Sequence, residues 1–222
     1  MKEMKKYWPL LIAIGLMVVY LIVNAGKVCE PYIWRFLITP TCLVIVAWSC
    51  IRHKQAFTGV IICLAFLFSI IGDLCLHNSG SKPMLFIIGV SSFLVAHVFY
   101  ITFCTRNGKI NQLVLGIVTA LYLIYFFSIL VPKLDGLPLA IACLAYLLTT
   151  CISLGAAAGL KTGKATKWLF LSGIICLALS DTQISIHNFL HAKCLYEVML
   201  PLYYASQTLV TAAIIHLNSE KA

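Results

Sequence analysis

Eight stretches of roughly twenty mostly apolar residues occupy almost all of this 222-residue chain, and that pattern leaves few folds open. A run of that length crosses about 30 Å of hydrocarbon as an α-helix. Inside lipid no water satisfies a backbone N–H or C=O, so a spanning segment either bonds to itself as a helix or closes as a barrel. The runs are continuous rather than alternating, which selects helix. Spans are expected at Trp8–Asn24, Tyr32–Cys50, Phe57–Leu76, Met84–Cys104, Leu113–Val131, Leu137–Gly159, Trp168–Phe189 and Tyr196–Leu217. The expected fold is therefore an all-α polytopic bundle of eight transmembrane helices, a single transmembrane domain over residues 1–222, with a tight hairpin between the fifth and sixth helices.

Hydrophobic residues make up 62% and charged residues 10% of the chain, and mean hydropathy is +1.00. Soluble domains carry about 25% charged residues, so this chain cannot cover a water-facing surface. Its few charges are topogenic. Lys2, Lys5, Lys6, Arg52, Lys54, Arg106, Lys109, Lys161, Lys164, Lys167 and Lys221 fall on one side of the eight spans, and Lys27, Lys82, Lys133 and Lys193 on the other. Basic residues in short loops mark the cytoplasmic face, which puts both termini in the cytoplasm. The first apolar run, with its preceding lysines, resembles a signal peptide but is expected to stay as the first span. The net charge of +9 then serves orientation and lipid contact, and a nucleic-acid partner is excluded because no folded soluble surface carries a basic patch. The expected location is a bacterial inner membrane or an endoplasmic reticulum. Oligomeric state is not encoded in any pattern read here.

The ten cysteines form neither a C-x-x-C nor a zinc spacing, and most lie in spans, where cysteine packs as a small apolar residue. Cys29, Cys75 and Cys194 map toward the non-cytoplasmic face, where one bridge is conceivable. Gly155 and Gly159 form a G-x-x-x-G, which permits close packing.

Against this background two carboxylates stand out, Asp73 in the third span and Asp181 in the seventh. An ionisable group at bilayer depth is costly and usually faces a polar interior, so the pair points to one shared polar site. His77 lies four residues after Asp73 on the same helical face. Asp181, Ser185 and Asn188 make a second stripe, His97 and Tyr100 share a face of the fourth span, and Tyr203, Tyr204 and Gln207 sit on the last. At 1.5 Å per residue, Asp73 and Asp181 lie about 24 Å and about 20 Å from the cytoplasmic ends of their spans, and His97 comes out about 10 Å deeper. Each has a structural reading beside the functional one: a buried polar kink for the aspartates, interfacial solvation for His77, His187 and His191, packing for Tyr203, Tyr204 and Gln207, and snorkelling for Arg35 and Glu197.

These residues resemble a known family. The stretch Phe68–Leu76 with Gly72-Asp73 resembles the Gly-Asp motif in the third span of YhhN-like lysoplasmalogenases. Phe93–Tyr100, which contains Ala96-His97, is similar to that family's histidine-bearing fourth span. Leu179-Ser180-Asp181 followed by Phe189 resembles its Ser-Asp motif, and Pro201–Gln207 its aromatic-plus-glutamine last span. One departure is evident: where the family often has Lys-Pro in the second span, this chain has Thr39-Pro40, with Arg35 one turn earlier.

The resemblance implies hydrolysis of the vinyl ether bond of lysoplasmalogens to a fatty aldehyde and a glycerophospho-headgroup, the lysophospholipid coming from the bilayer. That chemistry suits the residues. Protonation at carbon gives an oxocarbenium ion that water captures, which calls for a proton donor, an anionic group near the cation and a base for the water. Two carboxyls in unlike environments divide such labour, as they do in glycosidases, and neither a cofactor nor a metal is needed. Asp73, Asp181 and His97 are the expected catalytic group. Tyr100, Tyr203, Tyr204, Gln207, Ser185, Asn188, His77 and Arg35 are the expected substrate-binding residues. The same carboxylates also suit a proton-coupled transporter of small molecules or lipids, and their matching positions in the two four-span halves hint at a parallel duplication.

Overall fold

The computed structural model describes residues 4–25, 34, 37–80, 82–134, 136–190 and 196–220. Arg35, His191, Cys29 and Cys194 lie outside them, as does the side chain of Glu197, while Cys75 is a free thiol. Among the described residues the chain forms eight α-helices: α1 (Met4–Ala25), α2 (Ile38–Arg52), α3 (Ala56–His77), α4 (Pro83–Arg106), α5 (Gln112–Tyr125), α6 (Leu137–Ala158), α7 (Lys164–Leu190) and α8 (Tyr196–Glu220). Six, α3 to α8, are long and apolar enough to cross a membrane, α5 when taken together with the turns that follow it. The described apolar parts of α1 (Leu10–Asn24) and α2 (Ile38–Arg52) are shorter, so the expected eight spans are met by six of full length.

The boundaries follow local chemistry. The Asn111 side chain accepts a hydrogen bond from the Val114 N–H at 3.1 Å and so caps α5. Pro83 and Pro138 sit in the first turns of α4 and α6, where a missing N–H leaves no helical bond unmade. Gly136, at φ +92°, supplies the left-handed residue that turns the chain into α6. The expected simple hairpin between the fifth and sixth spans is more irregular than the sequence pattern indicates. After Tyr125 the helix widens into a π-turn at Phe126–Leu130 and then tightens into a 3-10 turn at Val131–Lys133. Pro132 sits at that change of winding, where it cannot continue the α-helical bond pattern.

Helix α8 is the axis of the bundle. It packs on α1, α2 and α7, and Tyr204, Gln207, Val210, Thr211, Ala213, Ile214 and Asn218 are buried along it. From α2 the ring continues through α3 and α4 to α6, and α6 packs on both α5 and α7. Large apolar side chains such as Leu11, Val44, Phe57, Ile117, Leu121, Ile124, Ile141 and Trp168 remain exposed around the outside. A water-soluble monomer rarely exposes an apolar surface of that extent; on a lipid-facing surface it is required.

One end of the bundle collects the basic loops. The loop after α4 is stitched to the loop after α6 by Lys109 N–H to Gly159 O (3.1 Å) and Lys161 N–H to Asn107 O (2.9 Å). Gly159 lies against the Lys109 carbonyl, so no side chain fits there. The G-x-x-x-G pair thus seats a loop against α6 as well as allowing helix contact. At the same end Asn218 Nδ2 donates to Ser49 Oγ at 3.0 Å, Trp8 meets Trp48 edge-on at 6.0 Å, and Arg106 lies over the Phe57 ring. Helix α1 begins and α8 ends on this side. Buried polar links between membrane helices contribute about 0.6 kcal/mol on average and about 1.7 at most. Asn218→Leu is therefore expected to lower stability by about 1 kcal/mol, read as a fall in thermal midpoint in detergent with no loss of monodispersity.

Candidate functional site

The opposite end of the bundle holds the polar interior. Asp73 comes from the last turns of α3 and Asp181 from the upper half of α7, and both carboxyls are buried. Both line one partly open chamber between α3, α4, α7 and α8, about 790 Å³ with its open mouth included. His77, Ser79, His187 and Asn188 form its outer part, while Ser180, Met199 and Tyr203 line it toward the interior. His187, expected to be an interfacial histidine, enters the site because α7 continues past Asp181 toward the chamber mouth.

His97 Nε2 lies 3.1 Å from Asp181 Oδ2, and the imidazole is fully buried. The axial estimate that set His97 about 10 Å deeper counted backbone rise alone. Side chains lean toward the N-terminus of their own helix. The two helices run in opposite directions, so His97 leans toward the chamber and Asp181 leans to meet it. His97 Nδ1 has no hydrogen-bond partner among the described residues. With Nε2 carrying the proton, Nδ1 presents a lone pair rather than a buried unpaired donor, the less costly arrangement. The Tyr146 ring lies 5.6 Å from the imidazole, and its hydroxyl interacts with Asp181. Sequence reasoning passed over Tyr146, because a lone tyrosine on an otherwise apolar span carries no pattern.

Asp73 is served by Tyr203, whose hydroxyl interacts with it and accepts a long bond from Thr39 Oγ1 at 3.5 Å. Thr39 is buried in the first turn of α2, next to Pro40. Gly72 beside Asp73 has a steric role: a Cβ there would come within 2.7 Å of the Phe93 ring. That ring forms part of the chamber wall.

The remaining expected binding residues divide. His77, Asn188 and Tyr203 line the chamber. Tyr100, Tyr204 and Gln207 line neither the chamber nor its neighbour and are packed in the core: Tyr100 faces Ser69 and Gln207, and Tyr204 packs edge-on against Tyr20 at 4.9 Å. Ser185 leaves the stripe it was grouped with. It turns into the wall of a second cavity, where the Tyr125 hydroxyl lies 2.7 Å from its Oγ.

That second cavity, about 660 Å³, lies between α4, α5, α6 and α7 and is almost wholly apolar. It shares Leu76, Phe86, Phe93, Asp181 and Ile184 with the polar chamber. Asp181 therefore stands at a boundary, with a wet carboxylate-lined space on one side and a dry one on the other.

A multi-pass helical membrane protein, with an acid–histidine pair buried between a polar chamber and an apolar cavity, is the class that this fold and site define. Within that class the YhhN family model matches residues 31–214, most of the chain, and the protein belongs to the YhhN family. Comparison with curated proteins and with solved structures gives no match.

Proposed function

We propose that the protein is a lysoplasmalogenase-like hydrolase that cleaves the vinyl ether bond of alkenyl glycerophospholipids with one chain. The observation that carries this reading is the position of Asp181 on the boundary between the two cavities. A vinyl ether lipid with one chain has a matching boundary, because its reactive double bond joins a hydrocarbon tail to a polar glycerophospho group.

The two cavities support a division of roles. The carbon that accepts the proton is the one on the hydrocarbon side of the double bond. Asp181, alone of the two acids, also lines the apolar cavity, so it acts as the acid. Proton transfer to that carbon leaves an oxocarbenium ion beside the Asp181 carboxylate, which His97 Nε2–H stabilises across 3.1 Å. Asp73, which lines only the polar chamber, takes a proton from the water that adds to the cationic carbon. The resulting hemiacetal then collapses. Its hydroxyl proton passes to Asp181, and the departing glyceryl oxygen takes the proton held by Asp73. One water is consumed, aldehyde and alcohol leave, and both carboxyls return to their starting states.

The test is aldehyde release from purified protein in detergent, supplied with alkenyl lysophospholipid and, separately, with the saturated alkyl ether. Cleavage of the first alone is expected. In D₂O the aldehyde should carry one deuterium at the carbon next to the carbonyl, because that is where the proton is delivered. Turnover of neither lipid in detergent would reject hydrolysis and leave proton-coupled transport, which needs a sealed vesicle, as the use of these carboxylates.

A further inference from the structure

The apolar cavity has a weakly closed wall. Helix α5 has no fully buried residue between Gln112 and Tyr125, and it packs chiefly on α6. With the π-turn and α6 it forms a small core of its own around Phe126, Leu130, Leu147 and Cys151, separate from the main one. Toward α7 it is joined by the π-turn and by two hydroxyl bridges, Tyr122 to Thr182 Oγ1 at 2.9 Å and Tyr125 to Ser185 Oγ at 2.7 Å, with a longer contact from the Tyr122 hydroxyl to the Ala178 carbonyl at 3.4 Å. Thr182 and Ser185 already donate their own hydroxyl protons to the carbonyls of Ala178 and Thr182, both at 2.8 Å. Each therefore accepts from its tyrosine, so the proton count in both bridges closes. All four of these residues line the cavity, and all four are only half-buried. Ile117, Leu121, Ile124 and Phe127 on the same helix face outward as bare apolar surface.

A seam whose polar contacts run through two tyrosine hydroxyls, with an apolar cavity behind it and lipid in front of it, opens more readily than interdigitated apolar packing. Its hydroxyls exchange partners when it opens, and the cavity's lining is mostly apolar, with the hydroxyls of Tyr122, Tyr125, Thr182 and Ser185 bonded to one another in its wall. We propose that the α5–α7 seam is a lateral portal through which a lysolipid's single hydrocarbon chain slides from the bilayer into the apolar cavity. In this arrangement Tyr122 and Tyr125 are its latches. The occupant follows from continuity: the cavity is mostly apolar and meets the polar chamber at Asp181, so it takes a chain whose polar end remains in the chamber. The assignment of that chain to a substrate rests on the hydrolase reading, whereas its passage through the seam does not.

The experiment uses the full-length protein in nanodiscs and an alkyl-ether lysophosphocholine that carries a diazirine in mid-chain and has no vinyl ether to cleave. After photolysis, label is expected on Tyr125, Cys143 or Leu147. The variant carrying both Tyr122→Phe and Tyr125→Phe should raise the labelling rate about fivefold or more, as the loss of two modest hydrogen bonds allows. Leu147→Trp, which fills the cavity, should abolish cavity labelling, and Cys143→Phe does the same if the first variant fails to fold. Label confined to outward residues such as Ile117 and Leu121, or cavity labelling unmoved by the tyrosine changes, overturns the portal. Cavity labelling that responds as stated in a protein that releases no aldehyde leaves the portal standing and removes the hydrolase.

Discussion

Asp181→Asn is expected to reduce aldehyde release by 10²–10⁴-fold, about the contribution of a positioned general acid, while the protein still folds. Asparagine has nearly the shape of aspartate, and its side-chain oxygen can accept from His97 Nε2–H across the same 3.1 Å. What it lacks is a proton to give to carbon. Asp73→Asn is expected to fall in the same range for a different reason, because an amide cannot take the proton of the attacking water. Neither change leaves an unpaired buried charge, so thermal midpoints should stay at or above that of the parent protein. Initial rates and melting curves on the same preparations measure both quantities. A fully active, normally folded Asn variant at either position would remove that residue from the mechanism.

His97→Leu and His97→Gln should separate positioning from folding. Removing one partner of a buried hydrogen bond leaves the other unsatisfied, at a cost of about 1–3 kcal/mol. Leucine should therefore lower the thermal midpoint clearly and abolish activity together with it. Glutamine retains a donor that can reach the carboxylate, so much of the stability is expected to return. Activity is not expected to return with it: an amide donates a fixed hydrogen bond but does not share protons with Asp181 through the cycle, and a loss of about 100-fold should remain. His97 touches Asp181 rather than substrate, and a glutamine variant that is both stable and fully active would reduce it to a structural support.

The contrast between these variants reflects how the site is built. The acid pair was legible along the chain because an aspartate inside a twenty-residue apolar run is costly enough to stand out. Helix existence and approximate limits followed the same signal, from the third helix onward. Local periodicity went less far. It grouped Ser185 with Asp181 and Asn188, yet Ser185 lies far enough around α7 to leave the chamber and accept from Tyr125. It placed Tyr100, Tyr204 and Gln207 with the binding residues, whereas they pack in the core beneath the chamber. Tyr146 and Tyr122 escaped notice altogether, because one tyrosine on an apolar span looks the same whether it faces lipid, core or a carboxylate.

Sequence alone determined that this chain is a helical membrane bundle, that its basic loops share one face, and that two acids lie at depth, because each is a one-dimensional consequence of transfer free energy residue by residue. Which groups touch was decided by tertiary structure. The tilt of side chains on antiparallel helices brings His97 to Asp181, and the way α5 hangs from α6 creates a dry cavity beside a wet one. Contacts of a few ångströms depend on helix rotation and on helix direction in space, and neither is written in the spacing of residues along any one helix.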